Sequence, residues 1–462
     1  MRRMTHTRLL RATAHCLTLA AVVGGCSSAA AGDRTAMSDA ELLRTAVNQL
    51  TNVMIYDIFS PPQASRAYSY ASIAAYEALR AGDQSYRSFA GQLRGMKEVP
   101  APPAGEISNG LAGVHAYLAV ARALTFSRAR MDSIRADMDA QFRRRPGMTQ
   151  DVFARSVAYG DTVAKSILAW AGADGYLQIR GGAKFTVTNA PGRWVPTPPA
   201  YMDGVEPNWF KVRPFVMDSS SQFRPEPPYP FDTVKTSPFM REATEVYETG
   251  RKLTDEQRAI AAFWDCNPYV MHVQGHTMFA TKKLTPGGHW MGIVGIASRM
   301  AKADAVRTAE AYARTAIAIS DGFTAVWDEK YRSALIRPES VINQYVDEGW
   351  EPLLQTPPFP EYTSGHSGIS TAAAQVLTDQ FGPSFAFTDS SEAEFGLPVR
   401  SFTSFEQAAA EAAISRMYGG IHYRHAIEQG VVQGRAVGKQ VIARVHTRAP
   451  QVAVAHDGAP GH

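Results

Sequence analysis

Cysteine is scarce in this chain: three in 462 residues, at Cys16, Cys26 and Cys266. The first two fall in an N-terminal leader and at its junction, which leaves Cys266 as the single free thiol. An internal disulfide and a thiolate metal cluster are thereby excluded. Long apolar runs are missing too, since no stretch after the leader reaches the ~18 continuous apolar residues of a membrane span. Charge of one sign is nowhere massed: the formal net charge is +4, with both signs interspersed. The clustered Lys and Arg that mark a nucleic-acid partner are therefore lacking. Strand-type alternation is nearly absent, and no internal repeat is evident.

The leader itself is legible. Arg2, Arg3, Arg8 and Arg11 form a basic segment, Leu17 to Val23 a short apolar core, and "VVGGCSS" then presents Cys26. Residues 1–25 so read as a lipoprotein signal peptide with lipidation at Cys26; ordinary cleavage after Ala29–Ala31 is the other reading. Both predict export to a bacterial periplasm or cell surface, and the first adds a lipid anchor as the only attachment to a membrane.

What the chain has in quantity is helical periodicity, so an all-α fold is expected. After a linker at 26–37, an N-terminal helical part spans 38–174. "SDAE" at 38–41 reads as a capping box, with Leu42, Leu43, Val47, Leu50 and Met54 following at helical spacing. Pro61 and Pro62 are expected to end that helix, and Ala64–Leu79 to form the next. Residues 175–236 are rich in proline and aromatics without a sustained period, as in "GRWVPTPPAYMDGVEPNWFKVRPF". A stretch this long is unusual in a compact domain, and its aromatic content argues for an ordered strap over the helices that walls a pocket. A C-terminal helical part spans 237–448, with helices expected at 239–264, 290–328, 364–380, 405–418 and 421–446. A short polar tail at 449–462 is expected to fray.

Chemistry gathers in three blocks of the C-terminal part. "PEYTSGHSGIS" (360–370) places Ser364 and His366 in a glycine-rich turn that opens a helix, with Thr363 or Ser364 as N-cap. Two positions apart at a helix start, the two side chains diverge, so His366 is badly placed to activate Ser364 as a nucleophile. A helix start with small residues instead offers bare N–H groups and a positive dipole end to an anion. "KYRSALIRPES" supplies cations: Lys330 and Arg337 are seven residues apart, close to two helical turns, and Pro338 is expected to end the helix there. "SRMYGGIHYRHA" supplies Arg416 and His422. Ser404 and Gln407 read as the capping box of the preceding helix, and Gly419–Gly420 as its end. Ala426, Gly430, Gly434 and Gly438 form a small-residue stripe that lets another backbone approach and pins His422 in a bundle.

Taken in order, Lys-x6-Arg-Pro, Ser-Gly-His and Ser-Arg-x5-His over residues 330–422 resemble the signature of the vanadium-dependent haloperoxidase and type 2 phosphatidic acid phosphatase superfamily. "FPEYTSGH" is similar to the haloperoxidase branch, although Thr363 stands where a proline is usual. The resemblance implies an active site in a helical bundle that holds vanadate, with phosphate as an occupant of the same place. By that resemblance Lys330, Arg337 and Arg416 would neutralise the oxyanion, and Ser364 and the Gly365 N–H would hydrogen-bond to it. His422 would be the axial ligand of vanadium and His366 the acid–base group, with Lys330 also polarising bound peroxide. The partners implied are hydrogen peroxide, a halide (iodide or bromide before chloride) and a small organic acceptor. An acid phosphatase acting through a phosphohistidine at His422 is the alternative, and a non-catalytic anion-binding lipoprotein a third reading. The sequence departs from the pattern at Ala426, where an aspartate commonly follows the axial histidine by four residues. The hydrogen-bond partner of His422 must then come from elsewhere.

Lesser candidates complete the reading. Phe359 occupies a position that in the family lies beside vanadate, and Trp327 flanks Lys330. "TPGGHWMG" resembles the turn before a core helix in bacterial haloperoxidase-like sequences; His289 and Trp290 there either face the pocket or cap the helix. His272 and His276 of "HVQGH" have the spacing of a helical metal pair, but with no third ligand nearby, polar packing or a pocket rim is the simpler account.

Overall fold

The structure, a computed structural model, describes residues 37–448. The leader, Cys26 and the tail lie outside the described residues. The N-terminal part builds α1 (Asp39–Tyr56), α2 (Pro61–Arg80), α3 (Asn109–Leu124), α4 (Arg128–Arg143), α5 (Gln150–Ala171) and the short α6 (Tyr176–Arg180). The C-terminal part builds α7 (Pro238–Arg251), α8 (Asp255–Phe263), α9 (Pro286–Met300), α10 (Ala305–Ser333), α11 (Pro338–Tyr345), α12 (Gly365–Phe381), α13 (Phe405–Tyr418) and α14 (Arg424–Arg444). Two small antiparallel ribbons complete it: β1 (Val270–Gln274) with β2 (Thr277–Thr281), and β3 (Phe387–Asp389) with β4 (Arg400–Phe402). The fold is all-α in substance, and no helix of the described residues is long and apolar enough to cross a membrane.

Side-chain caps set most helix starts. Ser38, Ser60, Ser108, Thr149, Ser237, Thr254, Thr285, Asp304, Ser364 and Ser404 each accept a backbone N–H from the first turn. Each such cap stabilises its helix by about 1 kcal/mol. These caps also explain where the expected boundaries fail. Pro61 and Pro62 open α2 behind Ser60 instead of closing α1, which ends at Tyr56, because a proline in the first turn needs no N–H partner. The helix expected at 239–264 is two, divided where Thr254 and Gln257 form a reciprocal capping box. The one expected at 290–328 is likewise two, with Asp304 capping α10. In "SDAE", Ser38 caps α1 but Glu41 turns outward to Arg44 and Arg299.

α10 occupies the centre. It is buried without a break from Thr308 to Trp327 and packs against α1, α2, α9, α12 and α14. A helix covered on every side must be free of large charged groups that lack partners, and α10 meets this with alanine, glycine and small hydroxyls. Its neighbour α2 is buried from Pro61 to Leu79 except Gln63, and there Ser69 Oγ donates to the Ala316 carbonyl at 2.9 Å. The glycine stripe of α14 meets the backbone of α12: a Cβ at Gly434 would stand 2.0 Å from the Gly368 carbonyl oxygen, and one at Gly430 2.8 Å from that of Ser364. Only hydrogen fits there, so this close crossing fixes α12, and with it the Ser364–His366 turn, against α14.

Residues 175–236 are ordered by packing. Trp194 and Trp209 are fully buried, and the buried carboxylate of Asp321 on α10 accepts the N–H groups of Phe215 (2.6 Å), Val216 (2.8 Å) and Met217 (3.1 Å). The strap backs the site without lining its cavity: the Val205 carbonyl accepts from Trp327 Nε1 and from the Tyr331 hydroxyl. The ribbon β1–β2 carries His272 on a strand and His276 at its turn, so the pair has hairpin geometry and not the helical geometry its spacing suggested. His272 borders a separate surface pocket with Met271 and Trp350.

Candidate active site

Arg337 is reached by a path different from the one its spacing suggests. α10 stops at Ser333 because Ala334 turns left-handed (φ 45°), and Arg337 is extended (φ −77°, ψ 151°) as the residue before α11. Pro338 thus opens a helix instead of ending one. The turn carries the Arg337 side chain inward, where it is 0 % exposed. Its Nε donates to the Phe359 carbonyl (2.9 Å), and Nη1 donates to the Ile421 carbonyl (2.9 Å) and lies 3.2 Å from His422 Nε2. Its Nη2 is buried with no partner among the described residues. Burial lowers its pKa to about 10, with Glu361 opposing, so it stays cationic at neutral pH.

His422 lies just ahead of α14, which starts at Arg424 and not near Ile421. Its partner is Glu361, whose Oε1 is 2.8 Å from His422 Nδ1 and also accepts the Tyr423 N–H at 3.0 Å. The orienting group absent at Ala426 therefore comes from the turn "PEYTSGH" itself. Burial pushes the Glu361 carboxyl up to about 8, against Arg337 and Lys330, and Oε1 accepts in either protonation state. With Nδ1–H directed at Glu361, Nε2 carries the lone pair a ligand needs, and Arg337 Nη1 stands 3.2 Å from it. Burial, then the cations Arg337, Lys330 and Arg416, hold the His422 pKa well below the ordinary histidine value.

Lys330 departs from the expectation that it faces the oxyanion. Its Nζ donates to the carbonyls of Pro360 (3.0 Å), Glu361 (2.9 Å) and Thr363 (2.6 Å), and it does not line the cavity. Burial, then Arg337, pulls its pKa well down, with Glu361 opposing. Three carbonyl acceptors match the three protons of an ammonium, and the cation is the form this geometry holds. Lys330 clamps the turn that carries Ser364, Gly365 and His366.

That turn presents the remaining donors. Ser364 caps α12, and its Oγ accepts from the Ser367 N–H (3.3 Å) and the Ser367 hydroxyl (2.8 Å), which leaves its own proton uncommitted among the described residues. A Cβ at Gly365 would meet nothing nearer than Trp327 at 3.9 Å, so the space over the helix start is open. His366 Nε2 is buried without a partner among the described residues, and burial, then Arg416, holds its pKa well below the ordinary value. Arg416 Nη1 donates to the Trp264 carbonyl (2.8 Å), while its Nε has no partner among the described residues. The cavity is lined by Gly365, His366, Arg416 and His422 together with Phe359, Trp327, Phe323 and Cys266. Phe359 places its ring 5.2 Å from both Lys330 Nζ and the Arg337 guanidinium, and 5.0 Å from the Trp327 ring.

Of the further candidates, His289 and Trp290 lie behind the cavity wall. Trp290 Nε1 donates to Ser370 on α12 (2.8 Å). His289 is fully buried, stacked on Trp264 (4.5 Å between ring centres), with Nε2 2.8 Å from Asp389 and Nδ1 3.3 Å from Cys266 Sγ. Sequence reasoning missed Glu361 and Cys266 as members of this region. Glu361 had a signal, since it stands three residues before Ser364 in the motif.

Unpaired buried donors, two arginines and a histidine held by a carboxylate define an enzyme site that works on a bound tetrahedral oxyanion within a helical bundle. A family model described as the VCPO second helical-bundle domain matches residues 310–450. A crystal structure described as that of the first bacterial vanadium-dependent iodoperoxidase is 49% identical, with a TM-score of 0.84 over 89% of this chain and 98% of that one. Holo and apo structures of a bacterial vanadium-dependent chloroperoxidase share the fold at 17% and 18% identity, each with a TM-score of 0.62, covering 88% and 82% of this chain and 92% of theirs. No curated protein sequence matches the chain. The chain belongs to the vanadium-dependent haloperoxidase family, and vanadate is the cofactor that family implies. The site suits that group: Arg337 Nη2, Arg416 Nε and His366 Nε2 are buried polar atoms without partners among the described residues, and the start of α12 is open where a Cβ would stand.

Proposed function

We propose that this enzyme oxidises iodide or bromide, in preference to chloride, with hydrogen peroxide, to a hypohalous-acid equivalent that a small organic acceptor consumes. The observation that carries the assignment of roles is the pairing of His422 with Glu361 beside buried arginine N–H groups that lack partners. The iodide end of the preference is supported by the 49% identity to the bacterial iodoperoxidase.

The chemistry vanadate supplies when bound is Lewis-acid activation of hydrogen peroxide toward a halide. His422 Nε2 would hold it, with Glu361 fixing the tautomer and the ring direction. Arg337 and Arg416 would place two charges beside the anion, and the Ser364 hydroxyl and the Gly365 N–H would donate to it. His366, neutral at neutral pH by the direction of its shift and unpaired at Nε2, accepts a proton from arriving peroxide and returns it to a leaving oxygen. Phe359 and Trp327 keep that region dry, which strengthens each charge–dipole contact.

The test is steady-state oxidation of iodide, bromide and chloride by purified protein with peroxide, with and without vanadate. Phosphate-ester hydrolysis is measured in parallel, because Glu361 supplies the partner a nucleophilic His422 would also require. Vanadate-dependent oxidation of iodide or bromide is expected; ester hydrolysis without halide oxidation would overturn the reading. Export with a lipid at Cys26 belongs to the same proposal. Mass spectrometry of native protein showing an unlipidated N-terminus near Ala31 counts against it.

A further inference from the structure

One cluster of reactive groups outside the anion cradle borders the same cavity. Cys266 is part of its wall, alongside His366, Arg416 and His422. Its thiol donates to Glu392 Oε1 at 3.6 Å and lies 3.3 Å from His289 Nδ1, which is itself 3.3 Å from Glu392 Oε1. The opposite nitrogen of His289 is 2.8 Å from Asp389 Oδ2. All four side chains are buried. A sulfur, an imidazole and two carboxylates are thus arranged in series next to the place where the oxidant would form.

The protonation states follow from the neighbours. Burial acts to lower the His289 pKa, but the ion pair with Asp389 leads the contacts that raise it well above the ordinary value, so the ring is an imidazolium. Burial pushes the Cys266 thiol up to about 11, with His289 opposing. The resting thiol is therefore protonated. Peroxide alone attacks such a group poorly, because the thiolate is the nucleophile. A hypohalous acid is a much stronger electrophile, and it needs only that the proton depart as sulfur attacks. Glu392, which already accepts that proton, is placed to take it, and His289 stabilises negative charge growing on sulfur.

We propose that Cys266, held between Glu392 and His289 on the cavity wall, is an oxidisable thiol that the enzyme's own hypohalous acid converts to a sulfenic acid, halting turnover until an external thiol reduces it. The proposal rests on the haloperoxidase reading above. In the first step Sγ bonds to the halogen, the halogen–oxygen bond breaks, and the leaving hydroxide takes the thiol proton by way of Glu392 as water. In the second, water displaces halide from sulfur and releases a proton, giving the sulfenic acid. Sulfur loses two electrons and the halogen gains them. In a wall shared with His366, Arg416 and His422, the new oxygen takes space that the anion and peroxide require. The described residues contain no second cysteine to trap the sulfenic acid as a disulfide, so recovery requires an added thiol.

The experiment follows sulfenylation of Cys266 by dimedone trapping and peptide mass spectrometry, together with the decay of activity. Vanadate-loaded enzyme is turned over with peroxide and iodide, a second sample receives peroxide without halide, and vanadate-free protein receives reagent hypobromite. Label is expected at Cys266 in the first and third samples and not in the second. Wild-type activity should decay as label appears and return with dithiothreitol, while Cys266→Ser, scaled to its own initial rate, loses activity more slowly. Absence of label with reagent hypobromite overturns the thiol chemistry itself, by a measurement on wild-type protein that needs no variant. Label with hypobromite but none during turnover that demonstrably yields hypohalite overturns self-oxidation. Label with hypobromite from a protein that oxidises no halide shows instead that the functional reading has failed, and self-oxidation falls with it.

Discussion

Lys330 tests the structure most sharply, because its two readings predict losses of similar size in different observables. If its ammonium acted on the oxyanion, removing it would slow halide oxidation by roughly 2.7–4 kcal/mol in the barrier, as for one donor of an oxyanion hole, and leave stability alone. In the structure its three protons are instead spent on the carbonyls of Pro360, Glu361 and Thr363. Lys330→Met keeps most of the volume and removes all three bonds. Each buried carbonyl left without a donor costs about 1–3 kcal/mol, or roughly 3–9 for the three. Against that, the penalty of several kcal/mol for burying an ammonium is relieved. Over most of that range the lost bonds outweigh the relief, so a net destabilisation on the order of a few kcal/mol is expected. Urea titration of vanadate-free protein reads it as a lower midpoint at unchanged slope. A midpoint equal to that of wild type, with activity lost, would refute the clamp and return Lys330 to the oxyanion.

Other substitutions probe the remaining parts. Glu361→Ala should weaken vanadate affinity and activity by about 10–100-fold, as for other partners of ligating histidines. Glu361→Gln, which keeps an acceptor oxygen, should lose less, and equal losses in calorimetric vanadate titrations would contradict an orienting role. His422→Ala should abolish activity and weaken vanadate retention. His366→Ala should retain vanadate yet lose the ~10²–10⁴-fold typical of general acid–base catalysis; the opposite pattern would exchange their roles. Gly434→Ala places a Cβ 2.0 Å from the Gly368 carbonyl and should cost about 1–3 kcal/mol by overpacking, with wild-type stability counting against the close crossing.

The helical fold was legible because its helices announce themselves twice, by apolar period and by a capping residue. Where the period alone was used, boundaries failed. Alanine, glycine and small hydroxyls run through both α9 and α10, so the apolar period does not mark the break; Asp304 marks it, as an N-cap whose side chain accepts the Arg307 N–H. Pro61 and Pro338 were read as stops, although a proline equally suits the first turn of a helix, and Ser60 directly before Pro61 was the sign that favoured a start. The strap was legible as ordered from its aromatics. Its clamp, the Asp321 carboxylate gathering three N–H groups, was not, because local spacing carries no information about a partner more than a hundred residues away.

The site shows the same division between identity and arrangement. Residue types at fixed spacing named the groups: Arg337, Ser364, His366, Arg416 and His422 all bear on one cavity or on its immediate support. Spacing did not say which way each group points. Lys330 and Arg337 were joined by counting helical turns, yet a left-handed Ala334 and an extended Arg337 intervene, and the two cations end on opposite duties, one clamping carbonyls and the other meeting His422. Glu361 escaped notice because spacing does not say which element packs behind His422, and the two are 61 residues apart. In three dimensions it lies behind His422, on the far side of the ring from Nε2, where its oxygen sets the tautomer that exposes the ligand lone pair. A negative group there is compatible with an anion site because the imidazole stands between the two.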